Sequence, residues 1–547
     1  MKPNFNLLQT IGLAFLSALV LSGCGKRPPE NAGAGSQTGS GGGASLAIVS
    51  GSENKSLEPI VQEFSRRTGI SITMSYMGSV EIGQELAKGG QCAFDAVWPA
   101  SSLWIDLFDL AKVARMSESI MRTPVVFGVK KSVAQSLGWI GKEVKVMDIL
   151  KAAEGRKLRF AMTSATQSNS GASSYLGFLS ALAGNPEVLT HEHLQGNETR
   201  ALIKQFLGSA NRSAGSSGFL KDLMVERYDL LDAMVNYEAM VIEANQALVA
   251  QGREPLFVIY PVDGLTIADS PLTLVNKGDS AKEQAFRKLQ QHLLSAEAQK
   301  RIQALGRRTG LLGMGAEAGG VDARVFNPDW GIDLNRVLNP VRMPSAPVIR
   351  EALELYQIAF RKPSCTFFVL DFSGSMRGKG EEQVKEAMRT LLTPAIASRY
   401  LLQLSPEDVT VVMPYSDRVA AEWVVTGNEP KELDDLMSKI ENQGPMAGTY
   451  THKALLQALA RAQSYASSGK YHTSVILMSD GEATDSLTDF FRAIDQQHIG
   501  RDIPIYSVLF GDAKERDMKA LAAGMAGRMF DGRKDMARAF REAKGYN

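Results

Sequence analysis

The stretch Thr366-Phe367-Phe368-Val369-Leu370-Asp371-Phe372-Ser373-Gly374-Ser375-Met376 decides how the C-terminal part of the chain is read. It opens with a compact, mostly apolar run, the pattern of a strand buried on both faces. Val384, Met388, Leu391 and Leu392 then recur at helical spacing. Further buried-strand runs lie at 409–412, 474–478 and 503–509, with helix-like stretches between them. Strands alternating with helices predict an α/β fold built on a doubly wound, Rossmann-like sheet.

Asp371, Ser373 and Ser375 alternate along the loop after the first strand, which turns their oxygens to one side. Carboxylate and hydroxyl oxygens are hard donors that suit Mg²⁺, Mn²⁺ or Ca²⁺. Two other loops supply more oxygen: Ala447-Gly448-Thr449, ahead of a helix-like run at 454–462, and Leu477-Met478-Ser479-Asp480-Gly481-Glu482 at a strand end. In order and spacing these segments resemble the metal-ion-dependent adhesion site of von Willebrand factor A (VWA) domains, over residues 361–547. The resemblance implies a metal site of Asp371, Ser373, Ser375, Thr449 and Asp480. Ser373 and Ser375 would bind directly, and Thr449 directly or through water. Asp371 and Asp480 would hold ordered waters and balance charge. Neutral direct ligands would leave the cation able to accept an Asp or Glu carboxylate from a protein partner. Thr449 is preferred to Thr451 because Ala454-Leu455 sits where the family has its helix residues. Ala447 and Ser479 depart from the family pattern without removing a ligand. Gly374–Gly380 looks like a phosphate loop but lacks the required spacing and final hydroxyl, so no ATPase is read.

Residues 46–320 also alternate. Strand-like runs at 46–49, 70–76, 94–98 and 124–129 flank a helix-like stretch at 57–67. Ligands of such folds bind where strands end and helices begin. The loops there are rich in glycine and hydroxyl residues, which suit anions and carboxylates; the same residues also cap helices. The segments Ser50-Gly51-Ser52-Glu53-Asn54-Lys55, Tyr76-Met77-Gly78-Ser79, Phe94–Ser101, Thr123–Val129, Gln167-Ser168-Asn169-Ser170-Gly171, Asn236-Tyr237-Glu238 and Tyr260–Gly264 resemble, in their order, the periplasmic solute-binding receptors of ABC transporters. That family has two α/β lobes. The resemblance implies one lobe at 46–130 plus 262–310, another at 131–261, and a cleft between them. Its candidate ligand-binding residues are Ser50, Ser52, Gly78, Ser79, Ser101, Ser168, Asn169, Ser170, Glu238 and Asp263, facing a small polar or anionic solute. His191-Glu192-His193 is read as solvated surface, because H-x-H alone lacks further ligands. Cys92 is read as a small core hydrophobe. Residues 321–360, with Asn327-Pro328-Asp329-Trp330-Gly331 and a helix-like run at 348–358, form a connector.

The N-terminus reads as an address. An apolar run at 11–21 follows Lys2 and ends in Leu21-Ser22-Gly23-Cys24. It is too short for a comfortable membrane span and fits a signal peptide. The ending resembles the bacterial lipobox, which implies cleavage after residue 23, lipidation of Cys24 by palmitate-type chains and a membrane anchor. Residues 25–45 are dominated by Gly, Ser and Ala and form a flexible tether. Gly25 favours the outer membrane where the host has two.

Sixty Lys and Arg against 59 Asp and Glu leave a net charge of +1, which gives no reason to expect nucleic-acid binding. Three cysteines without a C-x-x-C exclude a disulfide scaffold and a thiolate zinc site. No nucleophile, base and orienting group form a recognisable set, so no enzyme is expected. The expectation is an extracytoplasmic, lipid-anchored binding protein with metal-dependent protein recognition. The alternative is an ABC-transporter solute receptor with an accessory VWA domain.

Overall fold

A computed structural model describes residues 44–310, 322–480, 483–511, 515–533 and 535–545. Cys24, the signal segment, all but the end of the tether, Gly481 and Glu482 therefore lie outside the described residues. All described elements fall in one compact unit, Gly43–Asn547.

The first sheet has five strands in the order β2-β1-β3-β11-β4. They are β1 (Ser45–Ser50), β2 (Ser71–Tyr76), β3 (Ala96–Trp98), β4 (Ala114–Ser119) and β11 (Pro271–Val275). The second sheet comprises β5 (Thr123–Lys130), β6 (Phe160–Thr163), β7 (Arg212–Ala214), β8 (Ala233–Tyr237), β9 (Leu256–Ile259) and β10 (Thr266–Ala268). Its order is β10-β5-β8-β6-β7, with β9 also on β5. The chain thus changes lobe between β4 and β5 and again between β10 and β11. The boundaries fall near 120 and 269, not at 130 and 262, because β5 pairs with β8 and β9 of the second lobe. Trp98 ties the return crossing down: its Nε1 donates to the Ser270 carbonyl at 3.2 Å and to Ser270 Oγ at 3.0 Å.

The connector packs onto the second lobe. Trp330 is buried with Val258 and Tyr260, and Val341 N donates to Leu265 O at 2.8 Å. The helix Ala346–Leu355 continues into a wider turn at Tyr356–Phe360. Tyr175 donates to the Ala352 carbonyl at 2.8 Å, and its ring meets Tyr356 edge-on.

The third sheet holds β12 (Ser364–Asp371), β13 (Val409–Tyr415), β14 (Trp423–Thr426), β15 (His472–Ser479), β16 (Ile505–Leu509) and β17 (Met529–Asp531), in the order β14-β13-β12-β15-β16-β17. All pairings are parallel except β13 with β14. Every residue of central β12 is buried. Successive side chains of a strand face opposite ways. Phe368 and Leu370 accordingly join the core under helices Lys379–Leu392, Pro430–Glu441 and Met536–Gly545. Phe367 and Val369 join the core under Thr451–Ser467, Leu487–Gln497 and Glu515–Gly524. This is the doubly wound sheet expected from the sequence. Its helices on both faces explain why β12 reads as an unbroken apolar run. Cys92 and Cys365 are buried and free.

Candidate metal centre

Parallel strands all end on one side of the sheet, so the loops after β12, β13 and β15 converge there. Asp371 closes β12 with no exposed surface. Its Oδ1 accepts the Ser373 backbone N–H at 2.8 Å, and its Oδ2 accepts the Ser479 hydroxyl at 2.6 Å. Ser373 Oγ lies 3.0 Å from Ser375 Oγ, and Ser375 Oγ donates to Asp480 Oδ1 at 3.1 Å. Asp371, Ser373, Ser375 and Asp480 are therefore linked in series by hydrogen bonds, the first through the Ser373 backbone N–H and the others between side-chain oxygens. Gly511, at φ +59°, makes room for it: a Cβ there would come within 2.7 Å of Asp480 Cβ.

The Thr449 loop lies beside this cluster. Met446 N donates to Phe372 O at 2.6 Å and Tyr450 N to Ser416 O at 2.7 Å. The Thr449 carbonyl is held by Thr484, through its N–H at 2.9 Å and its hydroxyl at 2.8 Å. Ser479, a departure from the family pattern, keeps the hydroxyl that orients Asp371.

Burial pushes the Asp371 carboxyl above its usual range, while hydrogen bonds from Ser479 and Ser373 pull it down. Burial also raises the Tyr415 hydroxyl, with Asp371 beside it adding to the effect. A buried carboxylate of this kind is stabilised by a cation. The donors that converge here are carboxylate and hydroxyl oxygens, all of them hard. The residues thus fit a hard divalent cation. His191 and His193 do not converge on a metal site: His191 Nδ1 pairs with Glu351 at 2.7 Å, and His193 Nδ1 lies 2.9 Å from Thr190 Oγ1.

The inter-lobe loops engage one another. Ser79 N donates to Gln167 O at 3.0 Å, and Asn169 N to Ser79 Oγ at 3.1 Å. Asn169 also accepts from Trp104 Nε1 at 2.8 Å and donates to the Tyr237 hydroxyl at 3.1 Å. Ser52 Oγ accepts Gly218 N at 3.3 Å. The structure thus brings Ser52, Gly78, Ser79 and Asn169 to the lobe boundary. Ser168 and Ser170 bond to each other at 3.2 Å, and Ser170 to Thr163 at 2.8 Å. Ser50 is held by Trp98 O and Asn54, and Ser101 Oγ accepts Leu103 N at 3.3 Å. Asp263 lies elsewhere, accepting Val146 N at 2.9 Å at the start of helix Val146–Glu154. Glu238 is committed to Arg308 through two 2.7 Å hydrogen bonds.

Sequence reasoning missed what covers this boundary. The last helix of the C-terminal module, Met536–Gly545, lies against it. Arg538 donates to Tyr76 O at 3.1 Å and sits 3.7 Å from Glu81. A Cβ on Gly545 would lie 2.2 Å from Gln167 Cδ, so a larger residue there would have to displace the Gln167 side chain. Burial, then the neighbouring Glu542, pushes the Glu81 carboxyl up to about 8, with Arg538 and Arg541 opposing. The folded state therefore prefers protonated Glu81. Its contribution is fully present below the unfolded value of 4.5 and is lost as pH rises through about 8. Each pH unit in that window costs up to about 1.4 kcal/mol. Glu81→Gln is expected to melt higher than the parent at pH 8 and to lose this advantage near pH 5. Parallel melting curves across that range would contradict the assignment.

The family profile described as bacterial extracellular solute-binding protein matches residues 46–308. The von Willebrand factor type A domain profile matches residues 367–541. Similar solved structures include the substrate-binding protein of an ABC transporter from Agrobacterium tumefaciens, at 15% identity over 58% of this chain and 94% of that one, with a TM-score of 0.41. The sulfate-binding protein SubI from Mycobacterium tuberculosis H37Rv shares 15% identity over 56% of this chain and 96% of its own, with a TM-score of 0.37. A von Willebrand factor type A protein from Catenulispora acidiphila shares 18% identity over 34% of this chain, with a TM-score of 0.28. The present chain spans 43% of that protein. No curated protein matches the chain. Among the described residues no helix is long and apolar enough to cross a membrane. The N-terminal match suggests an extracytoplasmic location. The chain thus carries a region similar to bacterial extracellular solute-binding proteins at 46–308, followed by a region similar to von Willebrand factor type A domains at 367–541.

Proposed function

We propose that the chain is a lipid-anchored extracytoplasmic binding protein whose VWA domain recognises a protein partner through a divalent cation. The observation that carries this reading is the oxygen cluster of Asp371, Ser373, Ser375 and Asp480, linked at 2.8–3.1 Å. Bound Mg²⁺, or Mn²⁺ or Ca²⁺, would supply a coordination position for a partner's carboxylate. The Ser373 and Ser375 hydroxyls, with Thr449, would hold it. Asp371, fixed by Ser479 and by the Ser373 N–H, would balance its charge together with Asp480. Ser375 is exposed, which leaves this end of the sheet open to a partner. No catalytic role is assigned.

Membrane attachment rests on Cys24 and the tether that follows it. A second reading, a solute receptor for an ABC permease, is favoured by the profile match across both lobes. The hydrogen bonds between the lobes and the helix lying over them weigh against free access for a solute.

The test uses full-length protein recovered from its host's envelope. A partner should copurify in Mg²⁺, leave in EDTA and fail to bind Ser375→Ala. Labelled palmitate should enter the parent and not Cys24→Ser. A partner that remains bound in EDTA and in Ser375→Ala would remove the metal from recognition.

A further inference from the structure

The edge strand β7 of the second lobe abuts the starts of β15 and β16, at the end of the third sheet opposite the metal centre. A cavity of about 190 Å³ lies in this seam. Arg212 and Ser213 line one wall; His472, Thr473 and Tyr506 line the other. A smaller void beside it shares Ser213 and His472 and adds Arg361 and Lys362.

Three polar atoms here are buried without a hydrogen-bond partner: Arg212 Nε, Ser213 Oγ and Thr473 Oγ1. Ser213 as a whole is only 8% exposed. Buried polar groups in native proteins are almost always satisfied, so these atoms call for an occupant. Arg212 is held in place by the Ala526 carbonyl and by the Tyr506 hydroxyl, and its Nε is engaged by neither.

The charge is one-sided. Lys362 donates to the Ala210 carbonyl at 3.4 Å and is paired with no carboxylate among the described residues. Arg361 is neutralised by Asp408, which also accepts Ser364 N and Ser405 N and so has no spare capacity. Among the described residues, Asp502 is the one acid that lines the cavity. Burial, then Lys362, Arg361 and Arg212, depress the protonation of His472 well below the usual histidine range. A water molecule could satisfy the hydroxyls but could not balance the cations.

We propose that this seam is a binding site for a small inorganic oxyanion of the phosphate or sulfate class, held by Arg212, Ser213 and Thr473 with Lys362 and His472 behind them. Such a ligand touches both modules, so its binding fastens the second lobe to the VWA domain. The site is separate from the inter-lobe cleft and from the metal centre.

The experiment is a calorimetric titration of the full chain, freed of phosphate and sulfate, with each anion at ionic strength matched by chloride. One anion should bind per chain. Arg212→Gln should weaken binding by about tenfold or more, the effect of losing a charged hydrogen bond. Lys362→Gln should also weaken it, while keeping the Arg212 contacts to Ala526 and Tyr506 that the fold uses. Absence of binding by both anions would overturn the proposal. So would binding undiminished in both variants, which would place the anion in the cleft.

Discussion

Glu238→Ala is expected to destabilise the solute-binding domain by about 3–5 kcal/mol, the cost of leaving one partner of a buried ion pair uncompensated. The Glu238 side chain is 0% exposed and that of Arg308 2%. Arg308 Nε and one terminal nitrogen each donate to a different carboxylate oxygen at 2.7 Å, and the Tyr260 hydroxyl also donates to Glu238. Removing the carboxylate strands a guanidinium that water cannot reach. Arg308 also exchanges backbone hydrogen bonds with Arg122, at 2.7 and 3.1 Å, where the chain crosses between the lobes. The pair therefore clamps the crossing to the start of helix Glu238–Ala250. Replacing both residues by apolar ones of similar volume should cost much less than either single change. Denaturant unfolding of the full chain, read at the transition of this domain, measures the effect. A Glu238→Ala loss below about 1 kcal/mol would mean that the pair contributes little, as surface pairs do.

This pair also marks where the sequence stops being legible. Asn236-Tyr237-Glu238 ends a strand and opens a helix, the place where a ligand-binding carboxylate is expected. Its partner, Arg308, lies 70 residues downstream, and no local pattern announces the pairing. The strand runs were legible because β12, β13 and β15 are buried on both faces and read as apolar blocks. β4, Ala-Arg-Met-Ser-Glu-Ser, was not legible: it is half exposed and carries no apolar alternation. It is held by its pairing with β11. The oxygens of the candidate metal site stand out in the sequence because three of them, on Asp371, Ser373 and Ser375, fall within five residues. Even so, Asp371, read from the sequence as part of the loop after the first strand, does not lie in that loop. It is the last residue of the central strand and fully buried. The docking of Met536–Gly545 over the lobe boundary was not legible either, since its contacts with Tyr76, Glu81 and Gln167 join residues from opposite ends of the chain.

The burial of Asp371 changes how the metal centre is best probed. Asp371→Ala would leave the Ser373 N–H and the Ser479 hydroxyl without an acceptor, at a cost of about 1–3 kcal/mol. Asp371→Asn keeps an acceptor and removes only the charge. It should abolish divalent-cation binding while unfolding no more easily than the parent in EDTA, because the ionised form is the one that burial penalises. Ser375→Ala removes an exposed hydroxyl, should leave stability within about 0.5 kcal/mol, and should weaken the cation strongly.

The most direct measurement is titration of the full chain with Mn²⁺, followed by electron paramagnetic resonance. The parent should bind one Mn²⁺ that Mg²⁺ displaces, and Asp371→Asn and Ser375→Ala should lose it while melting normally in EDTA. Mn²⁺ bound equally well by both variants, or not bound by the parent, would contradict a metal centre at Asp371, Ser373, Ser375, Thr449 and Asp480.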